Sequence, residues 1–249
     1  YIIRFAGLTP LYNDLVEGRL DMADVRKKIG KCAAVLINSP SNPTGRIEAI
    51  DSLKEVEKLS KKHGVYVISD EVYKDLIYER ENYLISGKHV VTINSFSKTY
   101  AMCGFRVGYI YSSDDHFIQR VIEMKVHTSM NTSIIAQEMA YAATTAPQSY
   151  HKKQLAIWKE RRDSMYQGLR DLGLDVWKPE GAFYVLPRMK HSHKVVNDLF
   201  YDHKVITYDG AWFGAPDRIR LSYALDREKI EEGLRRMQAY LKKHQDYIL

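Results

Sequence analysis

Val90-Val91-Thr92-Ile93-Asn94-Ser95-Phe96-Ser97-Lys98 decides the fold of this chain. Its first four residues are apolar or β-branched without a break, and polar residues follow at once. A short run with no apolar–polar alternation reads as a strand buried on both faces. The pattern occurs twice upstream. Ala33-Ala34-Val35-Leu36-Ile37 leads into Asn38-Ser39-Pro40-Ser41-Asn42-Pro43-Thr44-Gly45, and Val65-Tyr66-Val67-Ile68 leads into Ser69-Asp70-Glu71-Val72-Tyr73. Between them Leu53, Val56 and Leu59 recur at helical spacing, and Gly64 stops that helix. Val107-Gly108-Tyr109-Ile110-Tyr111 adds a fourth strand. Strands of this kind separated by helices predict an α/β fold with a mostly parallel sheet covered by helices on both faces. Ligands bind such sheets beyond the carboxyl ends of the strands, where the three polar segments converge.

The second half has a different pattern. Leu155, Trp158, Met165, Leu169 and Leu172 mark a long amphipathic helix beginning near Pro147. Gly181–Leu186 and Arg218–Tyr223 read as strands, and Asp226 caps a last helix with the stripe Ile230, Leu234, Met237 and Leu241. At 249 residues the chain exceeds one average domain of ~100–200 residues. The expected division is a large α/β domain over 1–150 and a smaller C-terminal α+β domain over 151–249. Tyr1-Ile2-Ile3-Arg4-Phe5 reads as the middle of a strand, so further residues are expected upstream.

Composition narrows the function classes. No run approaches the ~18 apolar residues of a membrane span, so no membrane association is expected. The net charge of +6 is spread over basic pairs on helix faces, such as Lys61-Lys62 and Arg235-Arg236, and no nucleic-acid motif accompanies it. Cys32 and Cys103 form no CxxC and read as reduced core thiols of a cytoplasmic protein. The nine histidines show no metal-ligand spacing.

A lysine just past a buried strand can form a Schiff base with an aldehyde. Ser95, Ser97 and Arg106 around it can hold a phosphate, Arg106 as a forked, permanently charged partner. Pyridoxal phosphate is the common cofactor that is both an aldehyde and a phosphate ester. Alone, the Ser95–Lys98 run is usually an ordinary polar loop. Its weight comes from the segments upstream.

The motifs SPSNPTG (39–45), SDEVY (69–73), SFSKTYAMCGFRVGY (95–109), GAFYVLP (181–187) and RIRLSYA (218–224) occur in one order. With them the whole chain resembles the fold-type I pyridoxal-phosphate aminotransferases of class I/II, the group that includes aspartate aminotransferases. The resemblance implies that Lys98 binds the cofactor covalently and then moves the substrate α-proton. It implies that Asp70 pairs with the pyridine nitrogen, and that Tyr73 and Asn42 bond the ring's phenolic oxygen. Ser95, Ser97 and Arg106 would hold the phosphate. Asn42 and Arg220 would bind the substrate carboxylate, Arg218 being structural, and Gly104 would permit a tight turn before Arg106. The implied reaction transfers an amino group from an L-amino acid, aspartate or glutamate first and aromatic donors second, to a 2-oxo acid. A homodimer is implied. The same motifs suit a C–S lyase, a cyclopropane-forming synthase or the aminotransferase-like sensor domain of a transcription regulator. The family's upstream phosphate-binding helix and ring-stacking aromatic have no counterpart here, nor do the first two of its seven strands. By themselves these 249 residues are therefore expected to bind the cofactor poorly and to turn over weakly or not at all.

Overall fold

The computed structural model describes residues 2–147 and 149–249. The chain forms two compact units, the first from Tyr1–Ser39, Glu48–Val72 and Asn82–Thr145, the second from Pro40–Ile47, Tyr73–Glu81 and Ala146–Leu249.

The first unit contains α1 (Ile2–Phe5), α2 (Met22–Lys28), β1 (Ala34–Asn38), α3 (Ile50–His63), β2 (Tyr66–Asp70), β3 (Val90–Ser95), α4 (Phe96–Thr99), β4 (Gly108–Tyr111), α5 (Asp115–Thr128) and α6 (Ile134–Thr145). Its sheet runs β1-β2-β3-β4. The first two pairings are parallel and the last is antiparallel. Asn38 is in register with Asp70, and Asp70 with Ile93. The three carboxyl ends therefore lie level, with Ser95 just beyond.

Local chemistry explains the helices that flank the sheet. Asp21 starts α2 by accepting from the backbone N–H of Ala23 and Asp24. Gly64 ends α3 in the left-handed conformation at φ 68°, its N–H on the Ser60 carbonyl. Leu53 and Val56 of α3 pack with Val25, Ile29, Ile37, Val67 and Val90 into one core. Burying such side chains gives roughly 1.5–3 kcal/mol each, before the chain entropy that opposes it.

The second unit contains α7 (Ser149–Asp171), β5 (Tyr184–Val185), α8 (Ser192–Tyr201), β6 (Tyr208–Asp209), β7 (Ile219–Ser222) and α9 (Arg227–Leu241). Its sheet has the order β5-β7-β6 and is antiparallel throughout. Met165 and Leu169 of α7, Val195 and Leu199 of α8, Ile219 and Leu221 of β7 and Ile230 and Met237 of α9 form its core.

Four expectations are corrected. Residues 2–5 are helical, not a strand. Phe5 is 95% exposed, no strand pairs with the segment among the described residues, and Ala6 N–H closes onto Ile2 O at 2.9 Å. An apolar run with nothing beside it takes local hydrogen bonds. Helices do not cover both sheet faces evenly: Leu36 of β1 is 59% exposed and all four residues of β4 are exposed. The strand expected over 181–186 shrinks to two residues. Ala182 has φ 56°, and the N–H groups of Gly181 and Ala182 go to the Gly45 and Leu76 carbonyls instead of a ladder. Finally, Asp226 sits at the N-cap of α9 without capping it, because its carboxylate takes Arg161 at 2.7 Å.

Candidate active site

In the first unit the polar residues gather where β1, β2 and β3 end. Asn38 donates through Nδ2 to the Asp70 carbonyl at 3.1 Å. The Asp70 carboxylate accepts from Val72 N–H at 3.3 Å. Burial pushes the Asp70 carboxyl above the ordinary range, while the Val72 N–H and the Lys98 charge pull it back. The Lys98 charge thus reaches the Asp70 carboxyl. Ser95 caps the short α4 by accepting from Ser97 N–H at 3.0 Å, and the two hydroxyl oxygens lie 2.7 Å apart.

Asp70, Ser95, Ser97 and Lys98 are therefore neighbours along one sheet edge. Arg106 is turned differently. It adopts φ 53°, and its guanidinium donates to the Cys103 carbonyl at 2.9 Å. The tight turn expected at Gly104 is present, as the single 3-10 turn Cys103–Phe105, but it does not require glycine: Gly104 has no positive φ, and a Cβ there would meet nothing within 4 Å. Arg106 itself carries the left-handed conformation. Cys103 is exposed and Cys32 half-buried, so neither is a fully buried core thiol.

In the second unit the loop 40–47 holds Asn42. Ser41 N–H donates to Arg46 O and Gly45 N–H to Ser41 O, both at 2.9 Å. Gly45 has φ 68°, and a Cβ on it would lie 2.6 Å from the Tyr184 carbonyl, so only glycine fits. Its own carbonyl accepts from the N–H groups of Glu180 and Gly181, and Ile47 N–H donates to the Glu180 carboxylate at 3.0 Å.

The fixed loop offers Asn42 Oδ1 to Arg220 Nη1 at 2.9 Å. The Arg220 guanidinium lies 4.7 Å from the Tyr184 ring, 4.5 Å from Tyr208 and 4.6 Å from Phe213. Its buried Nε has no hydrogen-bond partner. Arg218, two residues earlier on the same side of the chain, is fully engaged by Leu186 O, Asp175 and the Trp177 ring. Tyr73 is buried, with its hydroxyl 3.2 Å from the Tyr184 hydroxyl.

Sequence reasoning missed Asn38, Tyr184, Tyr208 and Phe213. Asn38 carried the same signal as Asp70, a polar residue ending an apolar run. The three aromatics carried none, because their role depends on where β5, β6 and the 210–213 turn meet Arg220. His193 and Ser192 both pair with Asp209, at 3.1 and 3.0 Å. The serine hydroxyl thus goes to the acid and not to the imidazole, which is not a nucleophile–base pair. No cluster of metal-ligating side chains occurs, and no helix is long and apolar enough to cross a membrane, among the described residues.

The chain has relatives in sequence and in structure. A probable aspartate/prephenate aminotransferase of Aquifex aeolicus is 32% identical over 96% of this chain and 66% of its own length. An aromatic-amino-acid aminotransferase of Thermococcus litoralis is 31% identical over 91% of this chain and 62% of its own. The structure of Thermus thermophilus aspartate aminotransferase with maleate superposes at a TM-score of 0.92 with 29% identity, covering 96% of this chain and 65% of that one. The chain thus spans about two thirds of the length of the relatives it matches. The model of aminotransferase classes I and II matches residues 2–237. With its motifs in order and its sheet edges furnished as described, the chain belongs to the class I and II aminotransferase family.

Proposed function

We propose that the protein is a pyridoxal-phosphate-dependent aminotransferase that moves an amino group from an L-amino acid to a 2-oxo acid. The observation that carries this reading is Arg220, a permanently charged side chain boxed by three aromatic rings. Its Nη1 donates to a neutral amide and its buried Nε has no hydrogen-bond partner. Such a cation is an anion receptor, and a planar carboxylate matches its fork.

The residues present also fit the cofactor. The first unit offers an amine at Lys98, a half-buried acid at Asp70 and two hydroxyls at Ser95 and Ser97. When bound, pyridoxal phosphate supplies an aldehyde that exchanges amines and a ring that accepts electrons. Lys98 would hold the cofactor and, once released, carry the proton to and from the substrate α-carbon. Asp70 would keep the ring nitrogen protonated. Ser95, Ser97 and Arg106 would hold the phosphate, Arg106 leaving the Cys103 carbonyl to do so. Asn42 and Tyr73 would bond the phenolic oxygen, and Asn42 with Arg220 would orient the substrate carboxylate.

Aspartate or glutamate is the proposed donor, with aromatic donors next. The Thermus relative carries maleate, a dicarboxylate, and a relative in Bacillus subtilis that is 30% identical is named aspartate aminotransferase. The large part over 1–150 would carry the cofactor and 151–249 would form the small domain. A homodimer working in the cytoplasm completes the proposal. A half-reaction tests it. The full-length protein, loaded with pyridoxal phosphate and given aspartate alone, is expected to release one equivalent of 2-oxo acid per subunit without ammonia. Pyruvate or sulfide released over many turnovers from β-substituted amino acids, with no 2-oxo-acid burst from aspartate, would replace this reading with a lyase.

A further inference from the structure

We propose that Tyr184 is a positioning residue that holds the Tyr73 hydroxyl and the Arg220 guanidinium in fixed relation. This rests on the roles assigned to those two side chains above. Tyr184 lies on β5 in register with Ser222 of β7, two residues beyond Arg220. It is buried, and a buried phenol needs a hydrogen-bond partner. That partner is Tyr73, hydroxyl to hydroxyl at 3.2 Å, with the rings edge to face at 5.8 Å.

A phenol both donates and accepts. Tyr73 donates the shared bond to the Tyr184 oxygen, so on the reading above Tyr184 holds the Tyr73 hydroxyl in place until its proton turns to the cofactor's phenolic oxygen. The face of the same ring lies 4.7 Å from the Arg220 Cζ. The backbone of Tyr184 contributes as well, since its carbonyl occupies the space that excludes any side chain at Gly45, in the loop that presents Asn42. One residue thus touches the supports of a phenol, a guanidinium and an amide, and its hydroxyl and its ring do separable work.

Two substitutions separate them, both in the full-length protein. Tyr184→Phe removes only the hydroxyl. It is expected to move the pH midpoint of the bound cofactor's absorbance change by about half to one pH unit, the size of one neutral hydrogen bond. Affinity for maleate, measured by calorimetry, should be nearly unchanged. Tyr184→Leu removes the ring face and is expected to weaken maleate binding about three- to tenfold. In a Tyr73→Phe background, Tyr184→Phe should add no further shift, because its effect passes through Tyr73. A purely structural role would give additive shifts, and additivity would overturn the proposal. If Tyr73→Phe moves the midpoint and Tyr184→Phe does not, the positioning role alone fails. If Tyr73→Phe leaves the midpoint in place, the role assigned to Tyr73 fails and this proposal falls with it.

Discussion

Arg220 shows how much a single residue can reveal. It is a permanent cation with one amide partner, three aromatic neighbours and a buried Nε left over. A lysine would keep the charge and lose the fork. Charge-assisted bonds are worth ~1.5–3 kcal/mol, so Arg220→Lys is expected to raise KM for the amino acid about tenfold or more while the melting temperature stays near that of the parent. An unchanged KM would remove Arg220 from substrate binding. Lys98→Ala is expected to lower turnover by at least ~10²–10⁴, the contribution of a positioned acid–base group. Near-normal turnover would exclude Lys98 from the chemistry. Asp70 gives a prediction in pH. Burial raises its folded value above that of a free aspartate, so the native state holds the proton more firmly than the unfolded chain. The stability this gives is complete below the unfolded value and is lost as pH rises through the folded one, so at neutral pH the half-buried carboxylate opposes folding. Asp70→Asn is expected to melt higher than the parent at pH 7 in the cofactor-free protein, the gap narrowing towards pH 4. A variant less stable than the parent at every pH would refute this.

At the scale of the element, two glycines with the same backbone conformation separate strain from crowding. Gly64 and Gly45 both have φ 68°, but a Cβ at Gly64 meets nothing within 4 Å, whereas one at Gly45 meets Tyr184 O at 2.6 Å and Pro179 Cβ at 2.7 Å. Gly64→Ala should cost only the left-handed penalty of roughly 1–2 kcal/mol. Gly45→Ala adds a clash against backbone and is expected to cost more, by about 1–3 kcal/mol, read as a lower denaturant midpoint. Equal midpoints would mean that the 40–47 loop simply moves aside. These elements also show what the sequence could reveal. The three apolar runs named their strands, and the residues ending them named Asp70, Ser95 and Lys98, because periodicity and strand polarity are local properties. The 181–186 segment misled because the N–H groups of Gly181 and Ala182 bond to Gly45 and Leu76, far away in sequence. Asp226 misled because Arg161 outcompetes the backbone for its carboxylate. The aromatic box around Arg220 was invisible for the same reason: it is assembled by tertiary contacts, and no spacing encodes it.

At the scale of the molecule, each compact unit has its own core and its own share of the proposed chemistry. One carries an amine, a half-buried acid and hydroxyls at the end of a mostly parallel sheet. The other carries a partly satisfied guanidinium, an amide and a buried phenol. The segments 40–47 and 73–81, which sit early in the sequence, belong to the second unit, a grouping that composition along the chain does not announce. The central claim is that Lys98 is the nitrogen that anchors pyridoxal phosphate. Borohydride reduction of the cofactor-loaded full-length protein, followed by peptide mapping, measures it directly. One reduced pyridoxyl group per subunit on Lys98 is the result expected. A label on any other lysine, or none after saturation with cofactor, would contradict the account.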